Sequence, residues 1–209
     1  MGHMARIDTR EAIAGTRAFG RAYCYVLPCC GEDILKLGFS RDPLQRMRAL
    51  NRRWFEFFDL GEAFLLETDR VKEARAVEKR WAAEIRLHNA PAPLLARGEA
   101  GGSTEWYRGA YMHLRRAAHD ASAAGHRLHL PLRDWISGRL EQDRNDFCDW
   151  VQRACNSFEC GFAPGGDRAI IDAIDEYRAF GFVTDDFLSE DVVRWYRDSG
   201  RAGYSGRGG

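Results

Sequence analysis

Four side chains carry the chemistry in this sequence: Tyr25, Lys36, Arg46 and Glu78. The first three are drawn together by one short stretch. Tyr23 to Leu27 is rich in β-favouring residues and Pro28 ends it, so it reads as a strand. Gly31, Glu32 and Asp33 make a turn, and Ile34 to Phe39 form the returning strand. Asp42 reads as a helix N-cap, with Pro43 at the first helical position and Gln45 at the capping-box position. Arg46 then falls in the first turns of that helix. Glu78 stands on a later helix, over residues 69 to 87, in the same stripe as Val71, Ala74, Trp81 and Ile85. A carboxylate on a core-facing stripe is costly unless it is paired or bound to a metal, and the sequence leaves both readings open. A phenol, two cations and a carboxylate are residue types that can move a proton, clamp an anion and hold a metal ion. Singly, Tyr25 reads as an ordinary strand tyrosine and Arg46 as a solvated helix arginine; only the joint pattern has weight.

The order and spacing resemble the GIY-YIG nuclease superfamily. Tyr23-Cys24-Tyr25 stands where that family has Gly-Ile-Tyr, and Lys36-Leu37-Gly38 where it has Tyr-Ile-Gly. Ten residues separate the triplets, and Arg46 lies eight residues after Gly38, where the family keeps an arginine. The likeness is strongest to a divergent phage and bacterial branch, which also carries lysine at the second triplet. It covers about residues 21 to 110 and includes Glu105-Trp106-Tyr107. The resemblance implies a DNA endonuclease in which Tyr25 is the general base, Arg46 the phosphate clamp and Glu78 the ligand of one Mg²⁺ or Mn²⁺. It places Lys36 beside them in the catalytic group. A single carboxylate suits a weakly held ion that keeps several waters. Tyrosine has an ordinary pKa of about 10, so its use as a base calls for neighbouring positive charge, from Lys36 or Arg46. Tyr23, Arg41, Arg48 and His88 are the expected substrate contacts. His88 follows the glutamate helix, near where the family can carry a further polar residue; its plain reading is a helix-end histidine. Glu105-Trp106-Tyr107 reads as packing ahead of chemistry. The rival expectation is a weak or inactive DNA-binding module of the same fold.

The remaining elements frame these residues. On the arginine helix Leu44, Met47 and Leu50 recur at helical spacing and face the sheet. The aromatic run from Trp54 to Glu67 reads as a third strand, 88 to 104 as a long loop, 104 to 107 as a short edge strand, and 109 to 124 as a helix ended by Gly125. A composition break near 125 leads to helices at 132 to 158, 167 to 180 and 188 to 198, then a flexible Gly/Arg tail over 200 to 209. A short helix is expected at 8 to 19. The fold class is therefore α+β: a small sheet flanked by helices over 21 to 125, then a helical region over 126 to 199. Residues 1 to 20 form an N-terminal extension, in which Met1-Gly2-His3 resembles a cloning remnant.

Thirty-one Lys plus Arg balance 31 Asp plus Glu, which disfavours a chain that coats nucleic acid indiscriminately. The positive charge is local: Arg41, Arg46, Arg48, Arg52 and Arg53 face only Asp42 between residues 41 and 53. The expected partner is DNA, with RNA open, and dimerisation through the C-terminal helices is one role for that half. Six cysteines show neither Cys-x-x-Cys nor zinc-module spacing, so they read as free thiols of a cytoplasmic protein. No signal peptide or membrane-length apolar run is visible.

Overall fold

A computed structural model describes residues 20–96, 105–159 and 166–205. The chain divides into two compact units, and among the described residues the division falls between Gly138 and Arg139. The fold is α+β.

The first unit is built on one six-stranded antiparallel sheet. Its strands are β1 (Ala22–Pro28), β2 (Ile34–Ser40), β3 (Phe64–Thr68), β4 (Asn89–Ala90), β5 (Trp106–Arg108) and β6 (Arg127–His129), in the order β4-β5-β2-β1-β3-β6. Four helices accompany it: α1 (Pro43–Leu50), α2 (Trp54–Phe57), α3 (Val71–Glu84) and α4 (Tyr111–Ala123). Alternation along β1 divides its side chains between two faces. Cys24 and Val26 sit over Phe39 and Leu37 of β2 and over Leu66 and Phe64 of β3. They form one core with Val77, Trp81 and Ile85 from α3 and its C-terminal end, and Leu114 and Ala118 of α4. Tyr23, Tyr25 and Leu27 point the other way, with Ser40, Gly38 and Lys36 opposite them in register.

Several expectations need correcting. The run from Trp54 is not one strand. Trp54 and Phe58, four residues apart, are both fully buried, which is helical spacing; α2 forms there, and Phe58 pairs with Cys29 in a single bridge. Asp59 then turns the chain by accepting from the backbone N–H groups of Gly61 and Glu62, and β3 starts only at Phe64. The expected loop after residue 88 is cut short, because Asn89 and Ala90 pair with β5; residues 97–104 lie outside the described residues. The composition break near 125 is not the end of the first unit. Gly125, with φ +105°, ends α4, but β6 then returns to pair with β3. The N–H groups of Leu132 and Arg133 donate to Ala63 and Leu60 and tie the next helix to the same body.

That helix, expected over 132 to 158, is two: α5 (Leu132–Gln142) and α6 (Arg144–Glu159). They meet at Asp143, whose buried carboxylate accepts from Arg139 Nε at 3.0 Å. With α7 (Gly166–Ala179) and α8 (Glu190–Ser205), α6 and the end of α5 make the second unit. Its centre is Phe147 stacked on Tyr177 at 4.0 Å, with Tyr177 donating to the Leu140 carbonyl. The expected tail from residue 200 is also corrected in part. α8 continues to Ser205, launched by Ser189 and by Glu190 and Asp191 in its first turn. The expected helix at 8 to 19 and residues 206–209 lie outside the described residues. Among the described residues no helix is long and apolar enough to cross a membrane.

Candidate active site

Asp42 fixes where Arg46 begins. Its Oδ1 accepts from the Gln45 N–H at 3.0 Å, and its carbonyl accepts the first helical bond from Arg46 N–H. The other arm of the expected capping box is supplied by Ser40, not Gln45: the Ser40 hydroxyl accepts from the Asp42 N–H at 3.0 Å. With Leu44, Met47 and Leu50 buried beneath, α1 presents Arg46 half-buried at the sheet.

There Arg46 Nε donates to the Tyr25 hydroxyl oxygen at 3.3 Å. Tyr25 is 2 % exposed, and its ring lies across Gly38, its register partner. A Cβ on Gly38 would stand 2.4 Å from the phenolic oxygen, so the glycine is a condition of that ring position. Burial raises the Tyr25 pKa above its ordinary value; the Arg46 hydrogen bond and charge pull it down without overcoming that. The expectation that neighbouring cations would lower it is therefore met in kind but not in outcome.

Lys36 is not directed at the phenol. Its side chain is fully buried and its Nζ donates to Glu105 Oε2 at 2.8 Å, with the Trp106 ring centroid 5.5 Å away. Burial lowers its pKa, and Glu105 raises it in part. Glu105 is the residue that the sequence reading passed over as packing. The available signal was Lys36 itself, since a lysine inside a strand with both faces covered needs a carboxylate, and Glu105 is the acid beside its register partner Trp106.

Glu78 approaches from the other side of the sheet. Its helix, α3, buries Ala74, Val77, Glu78 and Trp81 together against β1 and β2. Among the described residues no hydrogen bond or ion pair reaches the Glu78 carboxylate. Its pKa is raised, first by burial and then by the Glu105 charge; Lys36, Lys79 and Arg75 oppose the rise. Hard oxygen donors of this kind suit Mg²⁺ or Mn²⁺. Among the described residues no group of three or more His, Cys, Asp or Glu could hold a metal, so an ion at Glu78 would keep most of its waters.

The remaining expected contacts are spread out. Arg41 is exposed and Arg48 half-buried on the α1 side. Tyr23 is two residues along β1 from Tyr25 and packs edge-on against Trp135 at 5.4 Å, beside His129. His129 is in turn hydrogen-bonded to Glu67. His88 is not at the site: its Nδ1 is 2.8 Å from the Arg108 carbonyl, at the Ile34 end of β2, where it braces the β4–β5 corner. The structure thus joins Tyr25 to Arg46 and Lys36 to Glu105, and sets Glu78 within electrostatic reach of the second pair. No protein-family model, curated protein or solved structure matches this chain.

Proposed function

We propose that this protein is a GIY-YIG-like endonuclease that hydrolyses DNA phosphodiester bonds with Mg²⁺ or Mn²⁺. The observation that carries the reading is the hydrogen bond from Arg46 Nε to the Tyr25 hydroxyl, made between a strand and a helix 21 residues apart. Arg46 is half-exposed, so its guanidinium can meet a phosphate while it touches the phenol. Tyr25 then accepts the proton of the attacking water. Glu78 would hold the cation, which when bound neutralises phosphoryl oxygens and the leaving oxygen. Arg41, Arg48, Arg52 and the arginines around them supply backbone contacts to DNA. Five free cysteines among the described residues suit a reducing cytoplasm.

The test is nicking of supercoiled DNA in Mn²⁺, Mg²⁺ or EDTA. Metal-dependent nicking is expected; none on any DNA, with salt-sensitive binding retained, would sink the reading. The pH dependence follows from the two raised pKa values. Tyr25 must lose its proton to act, and its pKa in the fold lies above the ordinary value of about 10. The rate should therefore climb about tenfold per pH unit through neutrality with no plateau before about pH 10. Glu78 must be ionised to hold metal, so the acid limb should extend above the usual carboxylate range.

The second reading, a DNA-binding module with little turnover, is favoured by one observation: Lys36, the cation that heads the second triplet, is buried and engaged by Glu105. That reading expects binding that weakens steeply with salt and ignores EDTA.

A further inference from the structure

Glu105 occupies an unusual position at the edge of the sheet. Trp106 lies opposite Lys36 and shares its face. By strand alternation Glu105 sets out on the opposite face, the one packed by α3. Its backbone carbonyl accepts from the Leu37 N–H at 3.2 Å, which fixes it against β2. Its carboxylate nevertheless reaches back to Lys36 Nζ at 2.8 Å. Glu105 thus straddles the edge of β2, between the side that carries Lys36 and the side that carries Glu78. Its side chain is 38 % exposed, and among the described residues its Oε1 has no hydrogen bond. The Glu78 and Glu105 carboxylates stand against the Lys36 ammonium and the Arg46 guanidinium, so the cluster carries no net charge before a cation or a phosphate arrives.

We propose that Glu105 is a second ligand to the divalent cation assigned to Glu78, and that Lys36, by holding the same carboxylate, sets how tightly that cation binds. The inference rests on the nuclease reading of Glu78. It gives Lys36 a task that its burial otherwise denies it. The ammonium cannot reach solvent, so it acts through Glu105 as a positioning residue. It keeps the second carboxylate in place, and its charge disfavours the cation until a phosphate offsets it.

The measurement is Mn²⁺ binding to the DNA-free protein, by titration calorimetry or water-proton relaxation, so that turnover plays no part. Glu105→Gln should weaken binding about tenfold, and Lys36→Met should tighten it by a similar factor. Glu105→Gln alone leaves a buried ammonium without its carboxylate and risks misfolding, so the deciding variant is Lys36→Met/Glu105→Gln, which removes both charges. Binding about tenfold weaker in the double variant than in Lys36→Met alone supports Glu105 as a ligand. Binding equal to that of Lys36→Met would make Glu105 no more than the partner of Lys36 and overturn the proposal. Unchanged affinity in Lys36→Met would overturn the part given to Lys36. A wild type that binds no Mn²⁺, or binding that survives Glu78→Gln, would remove the parent reading as well, a result distinct from either of these.

Discussion

Replacing Glu78 by glutamine should make the metal-free protein more stable and slow the DNA cleavage proposed for it by at least about a hundredfold. The two effects share one cause. Glu78 is a buried residue of α3 whose carboxylate has no hydrogen bond among the described residues, and its pKa in the fold is raised, chiefly by burial. A raised carboxylate pKa means that the folded chain holds its proton over a pH range where the unfolded chain has released it. In that window the stability falls as pH rises, and above it the penalty is complete. Near neutrality the ionised Glu78 therefore works against the fold. Glutamine has nearly the same shape and cannot ionise, so the penalty disappears; a gain of about 1 kcal/mol is expected. It should be read by thermal or urea unfolding at pH 7 in EDTA. The gain should shrink as pH is lowered from neutrality toward the ordinary carboxylate range and be absent below it. A loss of stability at neutral pH would show that Glu78 is a structural partner, and would count against its assignment to a metal. Groups that weaken a fold and persist are often functional ones.

Gly38→Ala should be nearly as damaging to cleavage as Tyr25→Phe, although it removes no chemical group. The added Cβ would stand 2.4 Å from the Tyr25 oxygen and 2.5 Å from its ring carbon Cζ. Contact that close cannot be absorbed by a few tenths of an ångström. The ring sits on β1, bonded on both sides, so it has to rotate off Gly38 and lose Arg46. The rate should fall by about a hundredfold. The cost in stability should be about 1–3 kcal/mol, the ordinary range for overpacking. A crystal structure of the variant, or the Tyr25 ring resonances by NMR, would show the displacement directly. Wild-type cleavage in Gly38→Ala would mean that the phenol is not used where it now lies.

What the sequence made legible is the local part of the site. Asp42-Pro43 announced the start of α1, and the spacing from Gly38 to Arg46 carried the guanidinium to the strand, because capping and helical period are short-range rules. Glu78 was legible for the same reason: one helix turn shows a carboxylate among apolar neighbours. Glu105 was not, because its meaning depends on register. Only when β5 lies beside β2 does the acid come within reach of Lys36, and no local pattern fixes that pairing. The aromatic run at Trp54 misled for a related reason. Aromatics favour strands on average, but burial of Trp54 and Phe58 one helical turn apart decided otherwise. The return of β6 was hidden by its length of three residues, too short for any alternation to show.

The sheet order has a further consequence, for motion. Tyr25 belongs to the central strand, whose backbone is bonded to β2 on one side and β3 on the other. Arg46 belongs to a helix of eight residues. Amide protons of β1 should exchange with solvent only when the whole sheet opens, while those of α1 can exchange through local fraying. The hydroxyl is therefore the fixed pole of the pair and the guanidinium the one that can withdraw. On the proposed reading, a phosphate held by Arg46 could be let go by a brief departure of α1, without disturbing the strand that carries the phenol.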